Sequence, residues 1–139
     1  MKYKRFNNKI LVRIDPNEEI ITEITNVANQ EKIKLANISA IGAVNNFTIG
    51  VYNTKEKKYY SNNFTGNYEI VSLLGTITTM NNLTYLHLHM SAGDERGIVV
   101  GGHLNNAIVS ATCEVVIDII DDYMDRIYNE EIGLNIFNI

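Results

Sequence analysis

One helix signal stands in a chain that otherwise reads as strand, and that imbalance limits the possible folds more than any other feature. Asp15, Pro16 and Glu18 sit as N-cap, first helical residue and N3 of a capping box. Behind them Ile20, Ile21, Ile24, Val27 and Ala28 recur at helical spacing, with Glu19, Glu23, Asn26 and Gln30 on the opposite face. The pattern predicts one long amphipathic helix over about residues 16–32. Elsewhere β-branched and aromatic residues dominate and the breaks are Asn, Gly and short charged turns, so strands are expected at 5–14, 35–41, 46–52, 58–64, 69–80, 83–92, 98–104, 107–121, 124–128 and 134–139. Asn81-Asn82 and Asn105-Asn106 read as two-residue hairpin links, because Asn tolerates positive φ.

The expected fold class is therefore α+β: a mainly antiparallel, curled β-sheet with the one helix packed on it. No linker, repeat or charge block interrupts the chain, and 139 residues at 45% hydrophobic content suit a single domain spanning 1–139. The runs 70–77 and 115–120 are apolar on both faces, more than one helix covers. Either the sheet curls on itself or other subunits bury its second face.

Three histidines occur, and all fall between residues 87 and 103. In a strand over 83–92, Tyr85, His87, His89 and Ser91 share one face while Leu86, Leu88 and Met90 share the other. If Gly93–Gly97 forms a five-residue hairpin loop, Ala92 stands opposite Ile98, His103 faces His87, and Gly101 faces His89 and leaves it room. Opposed Cβ atoms lie about 5 Å apart and same-face neighbours roughly 6–7 Å apart, so the three imidazoles converge. Carried through the Asn105-Asn106 link, the same face holds Ile108, Ser110, Thr112 and Glu114, a source of outer partners for metal-bound imidazoles. Neutral imidazole suits zinc or another divalent transition metal, and three nitrogens leave a fourth position for water or a carboxylate. A loop one residue shorter would turn His103 to the other face and break the triad. The plainer alternative is a set of polar-face histidines bonded to neighbours or lining a subunit interface.

Other chemistries find little support. Gly-x-Ser-x-Gly, a phosphate-cradling glycine loop and Cys-x-x-Cys are all missing from the sequence. Ser91, His89 and Asp94 are too close along one hairpin for nucleophile–base–orienter geometry, and Asp118, Asp121, Asp122 and Asp125 read as a solvated strand end. The lone Cys113 sits in an apolar run, facing away from the histidines, as a small hydrophobe. Lys2, Lys4, Arg5, Lys9 and Arg13 crowd the first strand, where charge protects an exposed edge or meets phosphates. A net charge of −4 argues against nucleic-acid binding through the general surface. The basic start, Met1 to Arg5, is not followed by a signal-length apolar run, and no stretch reaches the roughly 18 apolar residues of a membrane span, so a cytoplasmic protein without a membrane partner is expected.

Four segments resemble the plants-and-prokaryotes conserved domain family: Gly66-Asn67-Tyr68-Glu69-Ile70-Val71-Ser72-Leu73-Leu74-Gly75-Thr76-Ile77, His87-Leu88-His89-Met90-Ser91, Gly101-Gly102-His103-Leu104, and Ala111-Thr112-Cys113-Glu114-Val115-Val116-Ile117. The stretch from Leu35 to Val44 is similar to that family's first strand after the helix. The resemblance implies a homotrimer, with His87, His89 and His103 matching histidines that bind zinc in some prokaryotic members. It also implies a DNA label, since plant members carry an AT-hook before the domain; this sequence has none. The plant segment matching 66–71 is associated with partner contacts. The leading expectation is a stand-alone binding or regulatory domain with a three-histidine metal site. The alternative is a metal-dependent enzyme using a zinc-bound water on a small substrate, with Glu114 or Glu69 handling the proton.

Overall fold

The computed structural model describes all of residues 1–139. Its elements are β1 (Lys2–Phe6), β2 (Lys9–Ile14), α1 (Ile20–Gln30), β3 (Ala36–Asn53), β4 (Lys58–Met80), β5 (Leu83–Gly93), β6 (Val99–Ile119), β7 (Arg126–Asn129) and β8 (Leu134–Phe137). The sheet runs β1-β2-β6-β3-β4-β5 with every pairing antiparallel, and β5 pairs again with the start of β6. The strands β3 to β6 therefore close on themselves and the sheet is curled, although Val71, Leu74 and Val116 of the doubly apolar runs remain exposed on its outer face. A separate two-stranded sheet, β7–β8, follows.

The core lies inside the curl and under the helix. Ile20, Ile24, Val27 and Ala28 of α1 pack with Ile10, Ile14, Leu73, Ile77, Leu88, Val109 and Ile117 of the sheet, all buried. Phe47 anchors one end, fully buried, stacked on Phe64 with centroids 5.2 Å apart and edge-on to Tyr68 at 5.0 Å. Cys113 is buried in this core, and its thiol is pushed up to about 12 by burial and by the nearby Glu114 carboxylate.

The helix is shorter than its sequence pattern, 11 residues rather than the stretch 16–32. Part of the capping box forms, since the Asp15 N–H donates to Glu18 Oε2 at 2.8 Å, but it closes a separate turn. Asn17 has φ 70°, and residues 17 and 18 exchange backbone hydrogen bonds with Val109, which commits them to the sheet. Glu19 then caps the helix, its carboxylate accepting from the Ile21 and Thr22 amides.

Several expected breaks are bulges instead. Residues 42–45 and 65–68 lie inside the long strands β3 and β4, where the register shifts. Asn105-Asn106 is no turn: Thr48 pairs with Asn106 and Ile49 with Leu104, so Asn105 is an extra residue within β6. A bulge keeps side chains on their faces as a two-residue turn would, which leaves Ile108, Ser110, Thr112 and Glu114 on the outer face with His103. The expected single strand 5–14 belongs instead to two strands, β1 and β2, turned at Asn7, which has φ 53°. Asn81-Asn82 is the hairpin link expected, both residues having positive φ.

Gly75 of β4 lies directly against β5, where an added Cβ would run into the His87 carbonyl and Leu88. The Gly75→Ala variant is expected to lose about 1–3 kcal/mol of stability through overpacking, measured by urea unfolding; an unchanged midpoint would contradict the close approach.

Candidate metal centre

The β5–β6 hairpin positions all three histidines. Its loop has five residues, but they are Asp94–Ile98 rather than 93–97, and Gly93 pairs with Val99. Asp94 sets this choice: its carboxylate accepts from the Arg96 and Ile98 amides, both at 2.9 Å, and its own amide donates to the Ile98 carbonyl at 3.0 Å. The register is therefore displaced by two residues from the expected one, so His103 stands opposite His89 and Gly101 opposite Ser91. A displacement of two preserves the face of every side chain, and the triad survives. Asp94 is occupied in capping its own loop and pairing with Arg96, so it orients no catalytic triad.

The imidazole centroids of His87 and His89 lie 5.1 Å apart, those of His87 and His103 5.2 Å, and those of His89 and His103 5.6 Å. One ring nitrogen from each falls within 4.8 Å of the others. They open into a cleft of about 770 Å³. The β3–β4 arm forms one wall with Gly50, Tyr52 and Tyr59, and β8 forms another with Leu134 and Asn135. Gly50 pairs with His103, and an added Cβ there would strike the Tyr59 ring. That ring meets His103 edge-on at 6.1 Å, while the Tyr59 hydroxyl donates to Asn105 Oδ1 at 2.7 Å.

Burial pushes His87 down to about 4, assisted by the positive charge of Arg126 and by the neighbouring His103 and His89. His103 is likewise lowered, by burial first and His89 second. Both rings are neutral near pH 7, the form that ligates metal. Nitrogens sharing one tetrahedral zinc stand about 3.3 Å apart, from bonds of about 2.0–2.1 Å. The three ring nitrogens, within 4.8 Å of one another, approach that spacing, and three neutral imidazoles are a donor set that fits a divalent transition metal. The expected carboxylates do not reach it. Glu114 lies far along β6 beside Arg13 and Ile41, and Glu69 stands opposite Gly93 at the other end of β5.

A family model for the Plants and Prokaryotes Conserved (PCC) domain matches residues 1–121. The chain belongs to this family. Among solved relatives within the plants and prokaryotes conserved fold, a candidate DNA-binding protein of Bacteroides thetaiotaomicron is 34% identical, with TM-score 0.96 over 99% of this chain and 96% of that one. A plant- and prokaryote-conserved protein of Pyrococcus horikoshii is 30% identical, with TM-score 0.86 over 99% and 93%. A metal-containing protein of Archaeoglobus fulgidus is 30% identical, with TM-score 0.87 over 99% of both chains. No curated protein sequence matches the chain.

The family match stops short of β7 and β8, which carry the parts of the cleft that the sequence reading missed. Arg126 is buried, and its guanidinium donates to Thr78 Oγ1 at 2.9 Å and to the Asn135 carbonyl at 3.0 Å. It lies against the Tyr85 ring at 4.8 Å and the Phe137 ring at 4.5 Å. Tyr85 shared the histidine face in the strand pattern, whereas a single Arg in a short distant strand offers no spacing to read.

Because His87 binds a proton near 6.5 when unfolded and only near 4 when folded, its contribution to stability is whole above 6.5 and is lost as the pH falls toward 4. Metal-free protein is expected to show a melting temperature that declines across that interval. His87→Gln should flatten the decline, as differential scanning fluorimetry in a pH series would show; equal slopes in both proteins would contradict the assignment.

Proposed function

We propose that this chain is a single-domain, cytoplasmic member of its family that works as a homotrimer and holds one zinc, or another divalent transition metal, per chain through His87, His89 and His103. The observation that carries the reading is the convergence of three ring nitrogens, within 4.8 Å of one another, on an open cleft. A metal held there supplies a Lewis-acidic position open to one further oxygen or nitrogen donor. The metal-containing relative from Archaeoglobus fulgidus supports the same reading. The role is ligand binding or regulation; Glu114 and Glu69, the carboxylates named for the enzymatic alternative, lie outside the cleft and give that alternative no support.

Association is supported by the outer face of the sheet. Ile41, Val71, Leu74 and Val116 line one shallow concavity, and Ile41, Val71 and Leu74 are each more than half exposed. A contiguous apolar surface of this kind is normally covered by another subunit. The buried, unpaired Cys113 suits a reducing compartment, and no helix is long and apolar enough to cross a membrane. In elemental analysis and light scattering of untagged, zinc-loaded protein, one zinc per chain and a mass of three 15.7 kDa chains are expected. His87→Ala, His89→Ala and His103→Ala should each lose the metal. Metal retained in all three variants would defeat the reading.

DNA association is the second reading, favoured by the kinship with the Bacteroides protein. The cations that would contact phosphates are largely committed: Arg5 pairs with Glu31 at 2.8 Å, Lys9 with Asp118 at 2.8 Å and Arg13 with Asp15 at 2.8 Å. A gel-shift series at low salt is expected to show no retardation at micromolar protein, and a salt-sensitive complex lost on changing Lys2 and Lys4 would reverse that judgement.

A further inference from the structure

The charge balance of the cleft is incomplete. Arg126 is 7% exposed, yet it pairs with no carboxylate and is satisfied only by neutral oxygens and two aromatic rings. Arginine is seldom buried this deeply without an anion. Its place is specific: Nη2 reaches Thr76 Oγ1 at 3.4 Å, and Thr76 stands directly across from His87. The guanidinium is thus fixed beside the triad, behind the cleft wall formed by Tyr85 and Asn135. None of the 13 residues lining the cleft is acidic. With a divalent metal on the histidines, three positive charges would stand together with no negative side chain among them, an arrangement that calls for an anion.

The wall also offers a directed donor. Asn135 Nδ2 donates to the Tyr85 hydroxyl at 3.3 Å, which occupies a lone pair of that oxygen and leaves its O–H hydrogen free to turn into the cleft. Val51, Tyr52 and Leu134 add an apolar lining in reach of the same opening.

We infer that the cleft binds a small organic carboxylate, one oxygen completing the metal's coordination and the other accepting from the Tyr85 hydroxyl, with Arg126 as a fixed counter-charge held by the β7–β8 hairpin. This rests on the metal reading above. A small organic acid fits better than a bare inorganic anion, because the apolar lining has use only for a ligand with a carbon body. Arg126 is here a positioning and electrostatic residue and does not itself touch the ligand.

The test uses the full chain loaded with cobalt(II), whose visible bands report the ligand field at the histidines. Acetate and benzoate are titrated as carboxylate probes, with acetamide and inorganic phosphate as controls. The expected result is a saturable band shift with both carboxylates, tighter for benzoate, and none with acetamide. Arg126→Met, which keeps the stem of the side chain, and Tyr85→Phe, which keeps the ring, should each weaken benzoate about tenfold or more, the scale of one charge-assisted interaction. Both should still bind one cobalt per chain, and Arg126→Met should bind it no more weakly, since a repelling charge has gone. Cobalt bound normally without a carboxylate response overturns the inference and leaves the metal site standing. So does phosphate preferred over both carboxylates, or unchanged benzoate binding in both variants. A chain that takes up no cobalt overturns the metal reading and this inference together.

Discussion

The pairing of His89 with His103 across the β5–β6 hairpin governs the rest of the molecule's chemistry. It is held by a short loop whose first residue, Asp94, satisfies two backbone amides with one carboxylate oxygen. Strand side chains alternate with a period of two, so a slip of one residue would send His103 into the core and bring Leu104 out. Neither is tolerable: Leu104 is buried, and a polar imidazole in its place would lack a partner. Core burial and loop chemistry therefore fix the same register, and the cluster of imidazoles is a by-product of both.

Closure of the sheet makes that cluster usable. The beginning of β6 pairs with β5 on one side and with β3 on the other, so His103 is flanked by His89 and by Gly50. A glycine there lets the Tyr59 ring pack beside His103, and the bulge at Asn105 brings an amide to meet the tyrosine hydroxyl. His87 and His103 are consequently half-buried in the cleft, with His89 exposed beside them. Desolvation keeps His87 and His103 neutral, while the opening on one side leaves space for a further ligand.

Much of this was legible in the sequence because it depends on periodicity and residue type. The amphipathic face of the helix and the shared face of the three histidines follow from spacings of 3.6 and two, while the α+β class and the Asn81-Asn82 turn follow from residue type, β-branched and aromatic runs broken by Asn with its tolerance of positive φ. The helix start was misread because Asp15, Pro16 and Glu18 look the same whether they open a helix or a turn. The deciding bonds come from Val109, distant in sequence. The bulges in β3, β4 and β6 were read as breaks for a similar reason, since Asn and Gly mark both. The strands expected at 124–128 and 134–139 form β7 and β8, but where that hairpin packs was the least visible feature. Its placement over Tyr85 and Thr78 depends on tertiary packing, and nothing in the spacing around Arg126 connects it with His87.

These contributions meet at a single point in space, the position equidistant from three imidazole nitrogens. The most direct measurement is anomalous diffraction from zinc-soaked crystals at the zinc absorption edge. The account predicts one strong peak per chain, about 2.0–2.1 Å from a ring nitrogen of each of His87, His89 and His103. A map with no peak between these rings, or with its peaks on surface carboxylates alone, would contradict it.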